Sequence, residues 1–143
     1  MFAVIRIRGI RSIKPRIRLT MDLLGLTKPN HCVVVAETPQ NMGMLNVAKD
    51  YIAFGKIDEE MLFKLLTNKG KKGSSWARES LDEAKLRQLA KDVAAGKAKI
   101  KDTIDPVFCL HPPRKGYKDI KLHYPEGDLG KREDISKLLN RMI

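Results

Sequence analysis

The chain is poor in the residues that carry most soluble chemistry. Its 143 residues include three histidines, His31, His111 and His123, and none has local ligand spacing such as H-x-x-x-H. The two cysteines, Cys32 and Cys109, sit in apolar, strand-like surroundings without C-x-x-C spacing. Buried reduced thiols fit them better than a disulfide or a metal site. Aromatics make up 6% of the chain, with no basic-aromatic pattern that would build a base-stacking sheet. No apolar run approaches the length of a membrane span, and the N-terminus alternates Ile with Arg where a signal peptide would be apolar. A cytoplasmic location is therefore expected, with no membrane partner. The stretch Asn68-Lys69-Gly70-Lys71-Lys72-Gly73-Ser74-Ser75 does not match G-x-x-x-x-G-K-[ST], and no nucleophile elbow occurs. A hydrolytic His111–His123–Asp128 site is conceivable, but nothing in the spacing requires it. Glu59-Glu60 and Asp82-Glu83 are explained as acids at helix starts. No enzyme, metal or cofactor is expected, and the chain has no internal repeat.

What the sequence does have is positive charge. Lys and Arg number 28 against 17 Asp and Glu, a net charge of +11. More than half of the excess lies in residues 1–30, where seven cations face Asp22 alone. That concentration favours a polyanionic partner, because each neutralised phosphate releases counterions. With so few aromatics, contacts should go mainly to phosphates and sugars of a folded RNA. Arg6, Arg8, Arg11, Lys14, Arg16, Arg18 and Lys28 are the expected main RNA-binding surface. Lys69, Lys71, Lys72, Arg114, Lys115 and Lys118 are secondary candidates.

The chain is organised around residues 31–48. Cys32-Val33-Val34-Val35-Ala36 is an apolar run of strand length and β-branched content. Thr38-Pro39 supplies an N-cap and a first-turn proline for a helix with Met44, Val47, Ala48 and Tyr51 on one face. Gly43 interrupts that helix and reads as a close backbone approach. Upstream, Phe2 to Arg8 alternates as a half-buried strand with a basic outer face or end, and Gly9 to Lys14 reads as a turn. Pro15 and Gly25 bracket a helix over Arg16–Leu24. Its stripes Ile17/Met21/Leu24 and Leu19/Leu23 predict coverage on two sides.

Downstream, Ile52–Gly55 is a third strand, and Asp58-Glu59-Glu60 opens a helix with Met61, Leu62, Leu65 and Leu66 buried. For the Asn68–Ser75 loop two readings stay open, a phosphate-contacting loop that orders on RNA and a solvated linker. Trp76 reads as a core anchor in preference to a base-stacking residue. Ser80 and Glu83 suit a capping box for a helix running to Gly96 with Leu86, Leu89, Ala90 and Val93 inward. Val107–Leu110 is a further strand, and His111–Lys118 is a proline-stiffened basic loop. Ile120, Leu122 and Tyr124 read as a short extended segment, and Pro125–Gly130 as a turn. Ile135, Leu138, Leu139 and Met142 stripe a closing helix.

Several motifs resemble the archaeal and eukaryotic branch of the ribosomal protein L thirty family of the large subunit. Leu23-x-Gly25-Leu26, Asn30, Val33-Val34, Thr38-Pro39 and Gly43-Met44 are similar to the core shared with bacterial members. Val107-x-Cys109-Leu110-His111-Pro112-Pro113-Arg114 and Glu126-Gly127-Asp128-Leu129-Gly130-Lys131 resemble the longer branch only. The resemblance implies an α+β fold: a ferredoxin-like βαβαβ core with an antiparallel sheet over 1–56, a helical insertion over 57–105, and a C-terminal strand and helix return over 106–143. It implies a structural role, with 23S rRNA, 5S rRNA and neighbouring large-subunit ribosomal proteins as partners. The alternative is a free RNA-binding protein or RNA-folding helper. Two positions depart from the family pattern, since Lys115 and Asp128 stand where glycine is usual. If relatives need positive φ there, each must adopt a strained or different conformation.

Overall fold

The computed structural model describes residues 1–9, 11–98 and 100–143. Ile10, inside the turn expected over Gly9–Lys14, lies outside the described residues. Chain order is β1 (Phe2–Arg6), α1 (Pro15–Leu23), β2 (His31–Val35), α2 (Pro39–Ala48), β3 (Ile52–Lys56) and α3 (Glu59–Lys69). There follow β4 (Lys71–Lys72), β5 (Ser75–Trp76), α4 (Ala77–Ser80), α5 (Glu83–Ala94), β6 (Val107–Cys109), β7 (Gly130–Arg132) and α6 (Ser136–Met142). The main sheet runs β6-β2-β1-β3-β7. Its first three pairings are antiparallel and β3–β7 is parallel. This is the expected α+β, ferredoxin-like architecture.

β1 is the middle strand, and its period of two divides the core. Phe2 and Val4 join Met21, Leu24, Leu26, Leu45 and Ala48 on the face covered by α1 and α2. Ala3, Ile5 and Ile7 join the side chains of α3, α5 and α6 on the other face. The strand is thus buried on both sides, and its cations mark its end and not an outer face. Leu45 and Ala48 are the buried α2 residues, and Met44 is only partly covered. A helix wedged against both a sheet and a neighbouring helix buries positions that a single apolar stripe does not single out.

Local signals set the boundaries. Thr38 Oγ1 accepts from the Asn41 amide at 3.2 Å, with Pro39 in the first turn. Gly25, at φ +79°, ends α1 in a Schellman arrangement. Its amide donates to Asp22, and the Leu26 amide donates to Met21. The second α1 stripe is not covered, for Leu19 and Leu23 are 61% and 72% exposed. Residues 71–76, read as a loop, form a β-hairpin pinned by Asp105, whose carboxylate accepts from the Gly73 amide at 3.1 Å. The helix expected from a Ser80–Glu83 capping box is α5, which starts at Glu83 with Asp82 at its N-cap and no side-chain cap bond, while Ser80 ends the separate short α4. β7 lies at the end of the stretch read as a turn, because its partner is the distant edge of β3. Ile120, Leu122 and Tyr124 are about half exposed, and apart from a bridge between His123 and Leu129 that segment forms no strand.

Gly55 permits a close backbone approach within the sheet, and Gly43 does not. A Cβ on Gly55 would stand 2.7 Å from the Arg132 carbonyl oxygen and 3.0 Å from the Ile135 Cβ, whereas one on Gly43 would meet nothing within 4 Å. Gly55→Ala is accordingly expected to cost about 1–3 kcal/mol by prising the C-terminal segment off the sheet. Gly43→Ala is expected to stabilise by about 0.5–1 kcal/mol through helix propensity. Urea unfolding of both variants reads the difference, and equal shifts would refute it.

The cysteines also separate. Cys32 is fully buried, and burial pushes its thiol up to about 12 against a small opposing effect of a backbone hydrogen bond at Val4. Cys109 is exposed, contrary to the buried thiol expected, because β6 is an edge strand. A native-state alkylating reagent should label Cys109 and spare Cys32 until denaturant is added. Mass spectrometry of the labelled peptides checks this.

Candidate nucleic-acid interface

The basic end of the molecule is built on a cation that does not reach the surface. Arg6, which its sequence setting places among the RNA contacts, is 2% exposed. Its guanidinium donates to the carbonyls of Leu26 at 2.6 Å, Thr27 and Arg8 at 3.0 Å, and Gly9 at 3.1 Å. Burial pushes its pKa below the ordinary value, opposed by nearby Asp22 and reinforced by Arg18. Arg6 is therefore a positioning residue. It ties the segment after β1, which carries Arg8 and Arg11, to the segment before β2, which carries Lys28.

Strand register decides where the other cations go. Arg6 lies opposite Ile52, and His31 lies opposite Cys109, so the ends of β1 and β6 and the starts of β2 and β3 share one end of the sheet. Arg8, Arg11, Lys14 and Lys28 emerge from the connections there. Arg11, Lys14, Arg16, Arg18 and Lys28 are exposed, and Arg18 makes only a long surface contact of 3.9 Å with Asp22. Arg8 is partly covered and lies over Tyr51, 4.9 Å from the ring centroid. The opposite end of the sheet is different. Glu37 sits there near Lys56 and the N-terminal amine, and Asp58, Glu59 and Glu60 open α3.

The secondary candidates divide. Lys69 is 8% exposed and does not belong to the contact surface. It falls on the last turn of α3, under the hairpin, and burial lowers its pKa. Lys71 lies 4.7 Å above the Trp76 ring, and Arg78 approaches the same ring at 5.8 Å. Trp76 is thus a half-buried platform clasped by cations and not a core anchor. Lys72 is exposed near the hairpin tip. Arg114, Lys115 and Lys118 are exposed on the loop after β6. Lys115 has φ +68°, the left-handed conformation anticipated where glycine is usual.

That loop is fastened from beneath. The Tyr117 hydroxyl donates to Asn30 Oδ1 at 2.7 Å, joining it to the segment that carries Lys28. Burial and the nearby Asp128 push the Tyr117 phenol up to about 12, with Arg132 and Arg141 opposing. Asp128 does not take a left-handed φ. It is buried, accepts from the Lys118 amide, and pairs with Arg132. Arg141 of α6 donates to the Arg114 carbonyl at 2.9 Å and to that of Gly116. Sequence reasoning missed this bracing role of Arg132 and Arg141, since nothing local separates a bracing arginine from a solvated one. It also missed Tyr51 as a surface residue, which read only as part of the α2 stripe.

Two of the three residues weighed for a hydrolytic site, His123 and Asp128, are otherwise engaged. His123 contacts Asp50 at 3.0 Å, and Asp128 is held by Arg132. His31 lies 3.7 Å from Cys109, and burial lowers its pKa, with Lys28 and Arg6 acting in the same direction. Among the described residues no group of three or more His, Cys, Asp or Glu could hold a metal ion. No helix among them is long and apolar enough to cross a membrane.

A two-faced α+β sheet domain with cations gathered at one end describes a small basic protein without a catalytic cluster among its described residues. Comparison with known proteins makes the class specific. Residues 2–52 match the model of the ribosomal protein L30p/L7e family. The chain is 45% identical to the large ribosomal subunit protein uL30 of Archaeoglobus fulgidus, over 99% of each chain. It is 44% identical to that of Methanobrevibacter smithii over the full length of both, and 43% identical to that of Methanothrix thermoacetophila over 99% of each. The chain belongs to the ribosomal protein L30p/L7e family, a family of ribosomal components and not of enzymes.

Removing the Arg6 side chain strips partners from the buried Leu26 carbonyl and from three partly buried carbonyls at once. Arg6→Ala should therefore cost roughly 3 kcal/mol or more, while Arg11→Ala should stay within about 0.5 kcal/mol of wild type. Denaturant midpoints of the two variants check this. Similar midpoints would mean that Arg6 does not organise these loops.

Proposed function

We propose that this protein of the large ribosomal subunit binds and stabilises folded 23S rRNA, in the cytoplasm, beside the 5S rRNA and neighbouring ribosomal proteins. The observation that carries the reading is the convergence of Arg8, Arg11, Lys14, Lys28, Arg114, Lys115 and Lys118 on connections at one end of the sheet. Arg16 and Arg18 extend that surface along α1, and Lys71 and Lys72 extend it along the hairpin. Exposed cations on short, internally braced connections suit a phosphate surface of fixed shape, because little side-chain and loop order remains to be lost on binding. Folded RNA presents such a surface, and its recognition through phosphates and sugars needs no aromatic sheet. The position beside 5S rRNA rests on the resemblance of residues 107–131 to the longer family branch. The segments 1–56, 57–105 and 106–143 are proposed to act as one compact unit, since cations from all three contribute.

Reversing Arg11, Lys14 and Arg16 together to Glu tests the reading. Binding to 23S rRNA should weaken, and the slope of log affinity against log salt should fall by roughly one for each phosphate that is no longer neutralised. The thermal midpoint should hardly move, since all three side chains are exposed. Equal binding by the variant and wild type at moderate salt would remove this surface from the interface. Retention of 5S rRNA on particles assembled with and without the protein tests the finer placement separately.

A further inference from the structure

Between the two connections held by Arg6 lies an open cleft of about 460 Å³ lined by Arg8, Gly9, Arg11, Pro29 and Tyr51. We propose that this cleft takes one unpaired nucleobase of the bound RNA, stacked on the Arg8 guanidinium with Tyr51 as the layer beneath. The inference rests on the RNA-binding reading above and adds to it a site for a base where that reading uses only phosphates and sugars.

The geometry makes Arg8 a fixed platform instead of a mobile surface charge. Its backbone amide donates to the Tyr51 carbonyl at 3.2 Å, and its own carbonyl accepts from Arg6 at 3.0 Å. Its Nη1 reaches the Asp50 carbonyl at 3.4 Å while its guanidinium carbon lies over the Tyr51 ring. An arginine plane resting on an aromatic ring offers a flat cationic surface to a third planar group, and unpaired bases stack on such planes. The floor beside it is open, since even a Cβ on Gly9 would meet nothing within 4 Å. Among the described residues no carboxylate lines the cleft, and Arg11 at its rim suits the phosphate attached to the stacked base.

A second arginine–aromatic pair serves as an internal contrast. Arg87 lies 5.0 Å from the Phe63 centroid in a cleft of similar size, but it pairs with Glu83 at 3.1 Å, and Glu59 and Glu60 line that cleft beside Lys64 and Lys91. Carboxylates there offset the cations, whereas among the described residues the Arg8 cleft has cations alone. The same local motif is therefore assigned to nucleic acid at one end of the molecule and not at the other.

Arg8→Lys keeps the charge and removes the plane, and Arg87→Lys is the control. Binding of each full-length variant to 23S rRNA is measured across salt, together with ultraviolet cross-linking of the wild-type complex and mass spectrometry of its peptides. Arg8→Lys is expected to bind roughly tenfold more weakly with an unchanged salt slope and thermal midpoint. Arg87→Lys should match wild type, and a nucleotide adduct should appear on the segment from Arg8 to Arg11. Tyr51→Leu, which keeps the backbone carbonyl that anchors Arg8, should weaken binding similarly and serves if Arg8→Lys fails to fold. Affinity of the folded substitution within roughly twofold of wild type, or no adduct on the segment from Arg8 to Arg11, overturns the stacking site while salt-dependent wild-type binding leaves the phosphate surface standing. Wild-type protein without salt-dependent binding overturns both.

Discussion

One buried guanidinium sets the geometry on which the basic end depends. Leu26, Thr27, Arg8 and Gly9 present carbonyls at a point where two connections leave the sheet, and Arg6 satisfies all of them. Only a planar fork with several donors can do this, since an ammonium would satisfy fewer and a neutral side chain fewer still. Taking the charge from water is costly, and the hydrogen bonds offset that cost. Among the described residues no buried side-chain nitrogen or oxygen lacks a partner. The loops that carry the exposed cations therefore hang from a fixed hub.

Polarity of the whole molecule follows from the strand register. Because β1 is antiparallel to both neighbours, its end and their starts coincide, and the connections between them must lie together. Cations are concentrated in those connections, while Glu37 and the acids opening α3 fall at the far end. A positive end and a more acidic end orient a protein in the field of a polyanion before contact.

The C-terminal third closes the structure and braces the interface by the same contacts. β7 adds to the β3 edge where Gly55 allows it to approach, and α6 buries Leu138, Leu139 and Met142. Asp128, in place of the usual glycine, turns inward to hold Arg132 and the Lys118 amide. Lys115 instead keeps the backbone that glycine would favour and leaves its charge outside. One departure from the family pattern thus changes the wiring, and the other changes only the surface.

Much of this was legible in the residues themselves. The order of the first six elements, the Thr38 cap, the glycine at the end of α1, and the apolar stripes of α3 and α6 follow from local propensity and period. So does the placement of positive charge in the first thirty residues, and hence the class of partner. What tertiary structure alone decided is the fate of individual polar side chains. Arg6 and Arg8 are two residues apart at the end of one strand, yet the first is sealed under two loops and the second lies on an exposed ring. Lys69 and Lys72 are three apart, and only the second is exposed. The close approach expected at Gly43 is absent there and occurs at Gly55, because crowding depends on a distant strand. Sequence period reports which side of an element a residue occupies. Whether that side meets water, a carbonyl or another chain segment depends on contacts between residues far apart in sequence, and those exist only in the folded molecule.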